Sequence, residues 1–176
     1  MRDGFEAWCE GPVRSRDPGR ATRLLAAHAL ARADAARRAP LGFARPAVRQ
    51  REVLGTARAP FRTGDAYAKG GRERYGLTPR TRADFAACLG EAAEPGLALA
   101  ARAARACLDV AFFHPFHDGD ARAAPLVLVH VPAREGVVLP EVGPPTTARY
   151  ADDPAGAADP AALVGVLNRP RPPSRA

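Results

Sequence analysis

Residues 113 to 122 set His114, His117, Asp118, Asp120 and Arg122 between two apolar stretches of chain. Pro115 and Gly119 bend the backbone there. If Asp118-Gly119 opens the next helix, its free N–H groups and positive dipole end face the loop, and such an end holds anions, phosphate above all. His114 can act as a general base near neutral pH, Asp118 can hold a divalent cation, and Arg122 can clamp a phosphate with its planar fork. Together these groups point to transfer chemistry at phosphorus. Two other readings stay open. The two histidines and two aspartates carry the ligand atoms of a zinc or iron site, although Pro115 holds His114 out of helical geometry. A polar helix–helix turn with satisfied histidines is the plain structural alternative.

The elements that must position these groups read as helices. Asp17-Pro18 is an N-cap followed by proline at the first helical position, and it opens a helix over Gly19 to Ala39 that Pro40 stops. A second runs from about Pro46 to Leu54, ended by Gly55. Thr78-Pro79 opens a third, with Phe85 and Leu89 one turn apart. Glu94-Pro95 opens a fourth, whose inward face is Leu97, Ala101, Ala104, Leu108 and Ala111, with Arg102, Arg105 and Asp109 opposite. An apolar run to Ala133 follows the polar loop, and residues 152–167 form a last helix interrupted by Pro160. Between the second and third helices, Gly64-Asp65 and Gly70-Gly71 mark a small hairpin or ordered loop. Gly70-Gly71 with Arg72 and Arg74 offers only a weak phosphate signal, since no P-loop lysine and serine follow. The proline-rich tail 169–176 reads as disordered.

Composition narrows the classes. The chain has 176 residues, enough for one domain with a real core. Its net charge is +7 and its pI about 10.3. All but one of its 26 basic residues are arginine, Lys69 being the exception, and isoleucine is absent. That bias follows from GC-rich codons, and the arginines are spread rather than clustered, so basicity gives little support for a nucleic-acid partner. No segment approaches the roughly 18 apolar residues of a membrane span, and the N-terminus lacks the apolar core of a signal peptide. The expectation is a cytoplasmic protein without membrane contact. Three cysteines, Cys9, Cys88 and Cys107, form no CxxC pair, and their odd number disfavours a disulfide framework. His28 and His130 lie in apolar helical text and read as packed or surface histidines.

His114-Pro115-Phe116-His117-Asp118-Gly119-Asp120-Ala121-Arg122 resembles the Fic motif, HPFx(D/E)GN(G/A)R. The order of elements fits as well, with a helix on each side and a possible flap hairpin near residues 61–71. The resemblance spans roughly residues 45–168, with 1–44 as an N-terminal helical segment. It implies an all-α, Fic-type helical bundle with a small β-hairpin flap. It also implies an enzyme that moves AMP from ATP to a Ser, Thr or Tyr hydroxyl of a target protein, with Mg²⁺. His114 would deprotonate the target hydroxyl, Phe116 would pack inward, and Asp118 would carry the Mg²⁺. Gly119, Asp120, Ala121 and Arg122 would form the nucleotide's anion hole, and the flap would hold the target by strand-like pairing.

The chain departs from that family in three ways. Asp120 stands where the family has asparagine, and Ala121 where many members have glycine. Pro125 replaces a second arginine and, with Pro132, leads us to expect a following helix that is kinked, shortened or shifted. No Ser or Thr begins the family's inhibitory pattern (S/T)xxxE(G/N), so restraint would come from a separate partner or be unnecessary in a weak enzyme. An ionised Asp120 would either repel phosphate or cap the following helix. A Fic-type phosphotransferase and a catalytically degenerate fold serving as a binding module are the alternatives.

Overall fold

The computed structural model describes residues 3–143 and 154–167. It is mostly helical, with one two-stranded antiparallel sheet. Helix α1 is Gly4–Trp8, continued by a π-helical turn over Cys9–Val13; α2 is Pro18–Ala36 and α3 Ala44–Leu54. Strands β1 (Ala66–Ala68) and β2 (Glu73–Tyr75) follow, then α4 (Thr81–Gly90), α5 (Leu99–Phe113), α6 (Asp120–Ala133) and α7 (Pro154–Leu167).

Local chemistry explains most of these boundaries. The Asp17 carboxylate accepts from the Arg20 N–H at 2.8 Å, and Pro18 supplies a preset φ at the first turn of α2. Gly55 ends α3 in the left-handed conformation that glycine adopts without strain. Asp3 caps α1 through the N–H groups of Phe5 and Glu6. Gly4 is set so close to the chain beyond α6 that a Cβ there would lie 2.4 Å from the Glu141 nitrogen, and its N–H donates to the Leu139 carbonyl. The first helix is thereby fastened to residues 139–141.

Helix α5 packs along both α6 and α7, and α2 packs on both α3 and α6. One core runs from Phe5 through Leu24, Val53, Phe85 and Val110 to Leu128 and Val164. Its aromatic part is Phe43, Phe61, Phe85, Phe113 and Phe116; Phe43 and Phe116 stack with centroids 5.5 Å apart. His28 and His130 are both buried, His28 against the Phe5 ring.

Several expectations need correcting. The fourth helix begins at Leu99 rather than at Glu94-Pro95, and its buried face is Arg102, Ala103, Ala104, Ala106 and Val110. Leu97 is exposed. An alanine-rich helix covered on two sides carries a weak periodic signal, and Arg102 goes inside because its guanidinium meets Glu135 and the carbonyls of Ala92 and Leu97. Helix α6 is not shortened by Pro125 or Pro132 but runs unbroken through both. Each removes one backbone hydrogen bond, and burial of ten of the helix's residues offsets the loss. Pro160 likewise lies within α7 without interrupting it. The strands occupy residues 66–75 rather than 61–71. The proposed tail, 169–176, lies outside the described residues.

Beneath α2, α3 and α6 lies a buried polar knot. Arg49, 1% exposed, donates through Nη2 to Asp34 at 3.0 Å, and His130 Nδ1 lies 3.0 Å from the same nitrogen and 3.2 Å from the Ala31 carbonyl. Arg37 and Arg45 also hold Asp34. Burial and then the Arg49 charge push the His130 pKa down to about 4, so it is neutral at pH 7. Arg49 Nε and Nη1 have no partner, so Asp34 is the charge that makes this burial tolerable. Replacing Asp34 by Ala should cost about 3–5 kcal/mol, the usual effect of stranding a buried charge. Urea denaturation of both forms at pH 7 checks this, and a loss below about 1 kcal/mol would remove the knot from the stability account.

Candidate functional site

The turn between α5 and α6 is made from both sides. Helix α5 ends at His114 in the left-handed conformation (φ 45°), and Pro115 after it bars the right-handed helix from continuing. Phe116 is buried among the aromatic residues and anchors the loop. Gly119, at φ 82°, then turns the chain into α6.

His114 is half-buried at the mouth of the turn. Its Nδ1 lies 2.7 Å from the Ala111 carbonyl, an acceptor only, so the neutral ring carries its proton on Nδ1. That leaves Nε2 with its lone pair and no hydrogen-bond partner among the described residues. Burial holds the pKa below the ordinary histidine range; the bond to Ala111 opposes this, the Arg62 charge adds to it and Glu73 opposes it. The Tyr75 ring of β2 stacks on the imidazole, with centroids 3.5 Å apart and planes 18° from parallel.

Residues that the sequence did not single out hold the turn. Arg62, 3% exposed, donates to the carbonyls of His114 (2.7 Å), Gly64 (2.6 Å), Gly76 (2.9 Å) and Phe113 (3.2 Å), and its own N–H bonds to Pro115. It ties the end of α5 to the base of the hairpin. Gln50, fully buried on α3, donates to the Asp118 carbonyl at 2.7 Å. In a chain with so many arginines Arg62 carried no signal of its own. Gln50 is the only glutamine, which was the one hint available.

At the start of α6, Asp118 is exposed and its Oδ2 accepts from Arg122 at 2.9 Å. The N–H groups of Asp118, Gly119 and Ala121 have no acceptor among the described residues. These donors and Arg122 could hold an anion such as phosphate, and the Asp118 carboxylate could hold a divalent cation. Asp120 is turned elsewhere. Its carboxylate is buried and accepts from the Phe116 N–H at 3.1 Å, so it braces the loop rather than capping the later N–H groups of α6. His117 is exposed.

The zinc or iron reading finds no support, since no three of His114, His117, Asp118 and Asp120 converge. Among the described residues the ligand atoms that do converge belong to Asp3, Glu6 and His28, where Arg32 already lies 3.5 and 3.2 Å from the two carboxylates. Arg72 and Arg74 bond within the hairpin, to the Lys69 carbonyl and to Asp65. Lys69, a candidate substrate contact by its rarity, pairs with Glu73. No family model matches the chain, and no curated protein or solved structure matches it either.

Two predictions follow from the turn. A Cβ on Gly119 would lie 2.5 Å from Gln50 Nε2, and the left-handed φ adds its own strain. Gly119→Ala should therefore destabilise by about 1–3 kcal/mol, with part of the loss relieved in a Gly119→Ala, Gln50→Ala double variant. Equal denaturation midpoints for wild type and Gly119→Ala would remove this constraint. Burial raises the Asp120 pKa to about 7 from 3.8, against hydrogen bonds that favour the charge. The unfolded state ionises first, so this residue makes the fold lose stability as pH rises from about 4 to 7. Asp120→Asn keeps the acceptor for Phe116 and removes the ionisation. Its gain in melting temperature should be clearly smaller at pH 5 than at pH 8, and a gain independent of pH would contradict the assignment.

Proposed function

We propose that this chain is a Fic-type protein adenylyltransferase that moves AMP from ATP to a hydroxyl of a target protein. The observation that carries this reading is His114. Its Nδ1 is tied to Ala111 and its Nε2 is free, directly ahead of a helix start with unpaired N–H groups, Asp118 and Arg122. In this mechanism Nε2 takes the proton of the incoming hydroxyl, whose oxygen bonds to the α-phosphorus while the bond to pyrophosphate breaks. The helix start and Arg122 hold the phosphate charge that the reaction displaces. Mg²⁺ held by Asp118 would neutralise part of that charge. In this reading the hairpin would serve as a flap that receives the target segment by strand pairing.

A second reading, a degenerate fold used as a binding module, is favoured by Asp120, whose carboxylate occupies the motif's asparagine position, and by Pro125 in place of the second arginine.

The test is transfer of label from α-labelled ATP, with GTP and γ-labelled ATP in parallel, to proteins of a bacterial lysate. His114→Ala should reduce labelling by at least about a hundredfold, the range of a lost general base, at unchanged circular dichroism. Excess chelator should abolish labelling, and Mg²⁺ or Mn²⁺ should restore it. Transfer of the γ-label alone would assign a phosphotransferase. Equal labelling by wild type and His114→Ala would refute the role of His114, and nucleotide binding without transfer would select the binding module.

A further inference from the structure

The hairpin does more than cover the turn. A hydrogen bond from Nδ1 to Ala111 sets the direction of the His114 ring but leaves its tilt free. The second constraint is the Tyr75 ring, laid flat on the imidazole at 3.5 Å. Tyr75 is itself held at three points. Its hydroxyl donates to Glu73 Oε2 at 3.0 Å, and its backbone pairs with Ala66 across the sheet. Arg62 holds the next carbonyl, that of Gly76. Glu73 is fixed in turn by Lys69, whose Nζ lies 2.6 Å from Oε1. A continuous set of contacts thus runs from the hairpin turn to the histidine. Glu73 and Tyr75 occupy alternate positions of β2, so both present their side chains on the same face of the sheet.

We infer that Tyr75, oriented by Glu73, is a positioning residue for His114, fixing the plane of its imidazole and closing one of its faces to water. This rests on the reading of His114 as the base. Tyr75 acts through the histidine and touches no reacting atom. The charged and titratable groups around the ring are Arg62 ahead of β1, Glu73 and Tyr75 on β2, and Asp120 on α6, which acts on Tyr75. Loss of the cover and loss of the carboxylate must then move the histidine in opposite directions. Tyr75→Ala lets water reach the imidazole and favours its protonated form. Glu73→Gln removes a nearby negative charge and disfavours that form. A role in flap stability alone predicts neither sign.

The experiment is an NMR titration of the histidine rings in the full chain, with His114 assigned by the signals missing from His114→Ala. In Tyr75→Ala the His114 pKa should rise toward the ordinary histidine value, and the Nδ1–H tautomer should give way to a mixture. Tyr75→Phe, which keeps the stack but loses the bond to Glu73, should lie between wild type and Tyr75→Ala, and Glu73→Gln should titrate lower. Should Tyr75→Ala fail to fold, Tyr75→Leu takes its place and should lie between wild type and the ordinary value. An unchanged His114 titration and tautomer in the folded Ala or Leu form would overturn the inference, as would a Phe form as perturbed as the Ala form. In the labelling assay the acid limb of the pH profile should move up in Tyr75→Ala, with kcat reduced on the order of tenfold and nucleotide KM unchanged. Absence of labelling by wild type would reject the transferase while the titration still decides the role of Tyr75.

Discussion

The site depends on a cation met by carbonyl oxygens rather than by a carboxylate. Arg62 is buried, and among the described residues no acidic group lies within ion-pair distance of it. Two of the four carbonyls it serves, those of Phe113 and His114, stand at the end of α5, where a helix leaves its acceptors unpaired and its dipole negative. The other two belong to the chain on either side of the hairpin. A single planar fork therefore answers the unmet acceptors of a helix end, a strand exit and a loop entrance. No shorter or more flexible cation reaches all of them at once. With that fork in place, the backbone at His114 stays left-handed and the hairpin stays over it.

The polarity of the turn follows from this arrangement. The negative end of α5 carries the histidine and is satisfied by Arg62. The positive end of α6 keeps free N–H groups and has Asp118 and Arg122 at its edge. Gln50 draws the Asp118 carbonyl inward, so the peptide at Gly119 is oriented from below by α3 while the side chain of Asp118 stays outside. Asp120 reaches back to the Phe116 N–H and closes the loop on itself. Histidine, unpaired N–H groups and carboxylate thus meet at one six-residue connection, each held by a different neighbour.

Much of this was legible in the sequence. Asp17-Pro18, Gly55 and the Phe85–Leu89 pair mark their helices because capping and one-turn spacing are local effects, and the dense run from His114 to Arg122 marked the turn. The failures have physical causes. In α5 alanine stands on every face, so Arg102 could be buried and Leu97 exposed without disturbing any pattern. Pro125 and Pro132 suggested a kinked, shortened or shifted helix, yet a helix buried along most of its length runs through both. Arg62, Gln50 and Tyr75 act through partners distant in the chain, and no spacing rule connects residue 62 to 114 or 50 to 118. Asp120 was weighed as a repelling charge or a helix cap, whereas its carboxylate braces the peptide four residues before it.

The seating of Gly4 against residues 139–141 joins nearly the two ends of the first described segment. On a ribosome α1 is made long before residues 139–141, which appear only after α6. Until then Phe5 and Cys9, both fully enclosed in the finished fold, are covered only in part, by α2. Contacts of such long sequence separation form late, because the intervening loop must be closed before they return any stability. The seat of α1 is therefore finished only once residues 139–141 have emerged, long after the helix itself is made.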